Sequence, residues 1–181
     1  RESGNQLLRL INNLLDQAKI EAGRMDLQLE PARLDAIIES ALSMMEGYGA
    51  TRGVSLRATL ASEVPAIVVD VAKLRQAILN LLSNAIKFSG KGCEVEVRTR
   101  FLPAAQSALG ADTYEIVVAD QGPGIGPEDQ ERIFEPFRQL APRGETVPGT
   151  GLGLSIARQF VALLGGGLEV ESAVGNGAAF R

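Results

Sequence analysis

Residues 73–89 read KLRQAILNLLSNAIKFS, and their spacing decides the fold. Gln76, Asn80, Asn84 and Lys87 recur at intervals of four, four and three, which on a helix puts all four on one face. Leu74, Ala77, Ile78, Leu81, Leu82, Ala85 and Ile86 fill the rest of the surface. A solvated outer face would account for Asn80 or Asn84 alone. Both together, aligned with a lysine on so apolar a helix, point to a ligand. A carboxamide oxygen can coordinate Mg²⁺ without bringing a carboxylate's charge. A lysine is a point-charge partner for phosphate.

The segments before this helix supply its setting. PAIVVD (65–70) and VSLRATL (54–60) have the β-branched, alternating character of strands, the first ending at Asp70. Residues 33–46 follow the helical period, and MDLQLE (25–30) alternates like a short strand. Further back, Leu7, Ile11, Leu14 and Ala18 keep a four-three-four rhythm within residues 4–22, the seam of a helix that packs on other helices. Gly23 stops that helix, so the expected boundary divides 1–24 from an α/β unit over 25–181.

On the other side, EVEVRTRF (94–101) alternates as a strand, and TYEIVVAD (113–120) reads as a more buried one. The intervening LPAAQSALGAD reads as a hairpin loop. Pro127, Glu128 and Asp129 suit a helix start. Residues 138–150 carry no period and read as a mobile loop. LGLSIARQFVALL is a helix closed by Gly165, Gly166 and Gly167, and a strand pair ends the chain. Strands interleaved with helices predict an α/β fold, a two-layer sandwich of mixed sheet on helices.

Two glycine loops carry chemistry. In DQGPGI, Asp120 ends a strand and Gly122 and Gly124 follow. A carboxylate only accepts hydrogen bonds, so it suits an exocyclic amine such as adenine's, and glycines let a flat ring approach the backbone. A tight turn with a solvated aspartate is the plainer alternative. In GTGLGLS, Gly149, Gly151 and Gly153 lead into a helix whose free N–H groups could cradle phosphate, or form only a flexible hinge. No GxxxxGK[ST] pattern occurs, and the glycines do not match the dinucleotide fingerprint.

Composition excludes other classes. The net charge of −4 argues against a broad nucleic-acid surface. The single cysteine, Cys93, excludes an internal disulfide framework and suits a reducing compartment. No apolar run is long enough to span a bilayer, so a cytoplasmic location is expected, with a membrane-anchored parent compatible. There are no histidines, so no histidine in this chain can be a ligand, base or phosphoacceptor. The first residue is Arg1, and the chain is read as a fragment.

Taken in order, LRQAILNLLSNAIKFS, DQGPGI, IFEPF, GTGLGLSIA and SAVGNGAAF resemble the asparagine, first glycine, phenylalanine, second glycine and terminal glycine motifs of bacterial sensor histidine kinases. These ATP-binding domains belong to the GHKL superfamily with gyrase, MutL and Hsp-type chaperone ATPases. The leading LLRLINNLLDQAKIEAG is similar to the second helix of the kinases' dimerisation hairpin.

The resemblance implies ATP and Mg²⁺ as ligands and assigns roles. Asn84 would hold Mg²⁺, with Asn80 beside it, and Lys87 would meet the phosphates; these three are the catalytic set. Asp120 would accept from the adenine amine, with Gly122, Gly124 and Ile125 lining the base. Gln76, Phe88, Phe137, Arg138, Gly149, Thr150, Gly151, Leu152, Gly153 and Leu154 would complete the ATP site, and 138–150 would be its lid. Where many relatives carry an arginine two places after the second phenylalanine, this chain has Gln139; Arg143 is the substitute candidate for phosphate. Ala178 stands where threonine is frequent.

Hydrolytic members of the superfamily commonly carry a glutamate four residues before the magnesium asparagine. Here that place is Asn80, which cannot act as a base. The implied activity is therefore phosphoryl transfer to a histidine on the other hairpin helix, N-terminal to Arg1. The implied partners are that hairpin in a homodimer and a response-regulator or receiver domain. A silent ATP-binding regulator and a hydrolysing ATPase are the competing classes.

Overall fold

The computed structural model describes residues 11, 15–20, 22–61, 65–107, 110–139 and 149–181. Residues 15–20 are helical, as expected; Leu7 and Leu14 of the proposed seam lie outside the described residues. The order that follows is β1 (Glu30–Ala32), α1 (Leu34–Arg52), β2 (Ser55–Thr59), β3 (Ile67–Val69), α2 (Val71–Phe88), β4 (Glu94–Leu102), β5 (Thr113–Ala119), α3 (Gly153–Leu163), β6 (Val170–Ser172) and β7 (Ala178–Phe180). A five-stranded sheet runs β2-β4-β5-β7-β6, with β2 parallel to β4 and the other pairs antiparallel. β1 and β3 form a separate antiparallel pair.

α2 is the central helix. It packs on α1 and α3, and Ala77, Ile78, Leu81, Leu82, Ala85 and Ile86 are all buried. These apolar positions meet Val95 and Val97 of β4, Val118 of β5 and Ile156, Ala157 and Phe160 of α3 in one core. The far side of the sheet is a ladder of charges. Arg57 lies 3.8 Å from Glu94, Arg100 3.0 Å from Glu115, and Arg181 3.2 Å from Glu169. Alternation along the strands thus sends apolar residues to the helices and ion pairs to water.

Asp70 does more than end a strand. Its Oδ1 accepts from the Lys73 amide at 3.0 Å and caps α2, while Oδ2 accepts from the Gln28 amide at 3.0 Å. Asp70 is 4% exposed, so this one carboxylate pins the chain entering the domain to the start of its central helix. Lys73 reaches Asp16 at 3.6 Å and lies over the Phe160 ring at 4.8 Å.

Four sequence expectations need correction. Residues 25–30 are not a strand except at Glu30; Gln28 spends its amide on Asp70 instead of a ladder. The helix expected over 33–46 runs on through two glycines to Arg52, because Gly49 packs tightly beneath the Val54 carbonyl and Leu56, and Gly53 closes it at φ 69°. The segment at 127–129 forms turns and only a short 3₁₀ turn at Arg132–Phe134. β5 is not the more buried strand: only Val118 is fully covered, since β7 pairs with Val118 and Ala119 alone. Among the described residues no helix is long and apolar enough to cross a membrane.

Candidate functional site

The polar stripe of α2 is the common neighbour of both glycine loops. At its C-terminal end, a Cβ on Gly122 would lie 2.9 Å from the Phe88 carbonyl oxygen. One residue earlier, a Cβ on Gly149 would lie 2.8 Å from Lys87 Nζ. Nearer the middle, Gly153 faces the Asn80 side chain, 3.9 Å away by the same measure. Residues far apart in sequence therefore converge on one face of one helix.

Asp120 is fixed by backbone donors. Its Oδ1 accepts from Gly122 N at 2.8 Å and from Ala178 N at 3.2 Å. Its own amide donates to the Ala178 carbonyl at 2.8 Å. Oδ2 accepts no hydrogen bond among the described residues, so one lone-pair edge is held out for a donor. Burial raises the Asp120 pKa above the ordinary carboxylate value, against the opposing effect of the two backbone hydrogen bonds. Gly122 leaves no room for a side chain between Asp120 and Phe88, and Gly124 at φ 72° packs on the Ala173 carbonyl.

Around the start of α3, unpaired donors collect. Asn80 Nδ2 and Arg138 Nε are buried without a hydrogen-bond partner among the described residues. Lys87 lies 4.9 Å over the Phe88 ring, and burial, with Arg52 nearby, lowers its pKa. Buried orphan donors are costly, and an anion would satisfy them. α3 begins here, at Gly153, with its free N–H groups. Asn84 sits on the same stripe, one turn from Asn80, half-buried.

The remaining expected residues divide. Leu152 is fully buried, so any contact it makes with nucleotide is through its backbone; Thr150 Oγ1 accepts from its amide at 3.3 Å. Phe134 is core, edge-on to Phe180 at 6.3 Å with Arg158 stacked over it at 4.7 Å. Phe137 is 62% exposed at φ 63°, a left-handed conformation unusual for a bulky side chain. Gln76 is exposed near the start of the stripe, and Ile125 and Leu154 are half-buried. Arg143 lies outside the described residues, as do residues 140–148 of the expected lid. Gln139 donates to the Gly149 carbonyl at 2.6 Å, and Gly151 fits against the Phe137–Arg138 backbone only because it has no Cβ. Nothing in the local sequence signals this closure, or Ala178 as the donor that orients Asp120.

The family model described as histidine kinase-, DNA gyrase B- and HSP90-like ATPase matches residues 69–181. The histidine protein kinase DivJ of Caulobacter vibrioides is 41% identical over 97% of this chain and 28% of its own length. The virulence sensor protein BvgS of Bordetella bronchiseptica is 38% identical over 97% of this chain and 14% of its own. This chain thus spans under a third of these curated relatives. Among solved structures, full-length ShkA in complex with AMPPNP superposes with a TM-score of 0.83 at 31% identity, over 99% of this chain and 36% of that one. The domain match covers the whole constellation from Asp70 to the final strand, and the chain belongs to the family of histidine kinase-, DNA gyrase B- and HSP90-like ATPases.

Proposed function

We propose that this chain is the ATP-binding catalytic part of a protein histidine kinase: it binds Mg-ATP and transfers the γ-phosphoryl group to a histidine on a hairpin helix outside this chain. The observation that carries this is the α2 stripe. It brings Asn80, Asn84 and Lys87 to the Asp120 loop at one end and the N-terminus of α3 at the other. In this assignment Asp120 Oδ2 accepts from the adenine amine. Lys87, Arg138 and the α3 amides take the phosphate oxygens, and the orphan donors of Asn80 and Arg138 find partners. That full-length ShkA, similar in fold over 99% of this chain, was solved in complex with AMPPNP, an ATP analogue, supports the ATP-binding reading.

The residues present fit Mg²⁺. Among the described residues no group of three acidic, histidine or cysteine side chains could cage a metal. A Mg²⁺ ion held mainly by phosphate oxygens and waters needs only one or two protein ligands, and the Asn84 carboxamide oxygen is the one offered. When bound, the ion would neutralise charge on the β- and γ-phosphates.

The chain's own groups position and stabilise. The acceptor imidazole nitrogen attacks the γ-phosphorus, the bond to the β–γ bridging oxygen breaks, ADP leaves with that electron pair, and the imidazole proton passes to solvent. Asn80 cannot take a proton from water, which favours a protein acceptor over hydrolysis. Residues 1–24 serve as one helix of the dimerisation hairpin. Ile11, Leu15 and Ala18 are exposed there, apolar positions that a second helix would cover in a homodimer. A receiver or response-regulator domain is the downstream acceptor. The test is calorimetric titration with a non-hydrolysable ATP analogue, with and without Mg²⁺. Wild type should bind more tightly with Mg²⁺, and Asn84→Ala should lose that gain; equal affinity in all four combinations overturns the proposal.

A further inference from the structure

The loop after β5 and the loop joining β6 to β7 are knitted together by contacts that leave little slack. A Cβ on Gly177 would overlap the Asp120 carbonyl oxygen, and one on Gly124 would overlap the Ala173 carbonyl oxygen, so each loop rests a glycine on the other's backbone. Gly175 N donates to the Pro123 carbonyl at 2.7 Å. Both glycines, Gly124 and Gly177, have φ of 72°. Two backbone groups at this junction are satisfied by one side chain. Ser172 Oγ accepts from Ile125 N at 2.8 Å and donates to the Gly177 carbonyl at 2.6 Å. Gln130 Nε2 closes the same junction from outside, donating to the Ser172 carbonyl at 2.8 Å and the Ile125 carbonyl at 3.3 Å.

A hydroxyl gives and takes at a single atom in this way. The residue after Gly177 is Ala178, whose amide is one of the two donors that set the direction of Asp120. Ile125 follows Gly124, the glycine that rests on the Ala173 carbonyl. We infer that Ser172 is a positioning residue for nucleobase recognition: its hydroxyl locks the two loops in the register that aims the free oxygen of Asp120 at an exocyclic amine. Resting on the ATP assignment above, this assigns base discrimination to a side chain that never touches the base. Replacing Ser172 with alanine leaves an amide and a carbonyl without partners, and the Gly177–Ala178 peptide becomes free to turn.

The test compares ATP with inosine triphosphate, which presents a carbonyl acceptor where adenine presents its amine. Both keep the same phosphates. In the full chain, wild type should prefer ATP. Ser172→Ala should weaken ATP roughly tenfold while changing inosine triphosphate less than about twofold, and Ser172→Thr should restore the preference. A variant damaged only in its folding would lose binding-competent protein equally for both nucleotides and keep the ratio; that result overturns the inference. If Ser172→Ala does not fold, Gln130→Met is read the same way, with a fall in the ratio expected and an unchanged ratio contradicting. Failure of wild type to bind either nucleotide would overturn the ATP assignment itself, and this inference with it.

Discussion

Asp120→Asn separates recognition from stability more cleanly than any other substitution. An asparagine can keep its Oδ1 on the Gly122 and Ala178 amides, at the 2.8 and 3.2 Å positions used by the aspartate. Its Nδ2 then occupies the place of Oδ2 and points a donor at adenine's donor. One charge-assisted hydrogen bond is lost and two donors are left unpaired, a cost of about 2–4 kcal/mol, or roughly a 30- to 700-fold rise in Kd. The fold should respond in the opposite sense. Burial raises the Asp120 pKa in the folded chain. A group raised on folding contributes stability below its unfolded pKa and loses it as pH rises through the folded value. At neutral pH the wild type therefore carries the cost of a buried charge, which asparagine removes. The variant's Tm should exceed that of wild type at pH 7, and the gap should close as pH falls below about 4, the unfolded carboxylate value. Titration calorimetry and scanning calorimetry on the same samples provide both numbers. Unchanged ATP affinity, or a fall in both affinity and Tm, would refute the placement of this carboxylate.

Other outcomes follow from the same geometry. ATP affinity should fall as pH drops through the raised pKa of Asp120 and again as it rises through the lowered pKa of Lys87; a titration series across pH checks this, and Asp120→Asn should lose the acid limb. Gly177→Ala should cost more than about 3 kcal/mol or prevent folding in denaturant melts, since a Cβ there meets the Asp120 carbonyl in a left-handed backbone. Asp70→Ala removes a helix cap and the partner of the part-buried Gln28 amide, an expected loss of about 1–2 kcal/mol by urea unfolding, with ATP affinity per folded molecule unchanged. Gln139→Ala should weaken analogue binding modestly, about twofold to tenfold, by releasing the Gly149 carbonyl; fluorescence titration measures it.

What the sequence made legible was carried by side-chain period. The stripe Gln76, Asn80, Asn84, Lys87 and the apolar set opposite it follow from helical spacing, and the structure buries that set. The alternation of β4 likewise placed Val95 and Val97 in the core and its charges outside. What stayed hidden depends on backbone atoms and on neighbours distant in sequence. Nothing in DQGPGI shows that an amide 58 residues away would aim its aspartate. Gln139 looked like a missing arginine, and its bond to Gly149 depends on how two segments meet. The burial of β5 failed as an inference because an apolar run does not reveal that its neighbour β7 is only three residues long. The helical period reads only to residue 46, whereas α1 continues to Arg52 with Gly49 packed against Val54 and Leu56.

The central claim is transfer to a histidine outside this chain. Its most direct measurement uses ATP labelled at the γ-phosphate, this chain, and the parent's hairpin supplied separately, scored for acid-labile label. Label should appear on the hairpin histidine, abolished by Asn84→Ala and reduced less by Asn80→Ala, with slow release of free phosphate when the chain is alone. Rapid phosphate release by the chain alone, with no label on the hairpin, would contradict it and place the chain among the hydrolysing members of the family.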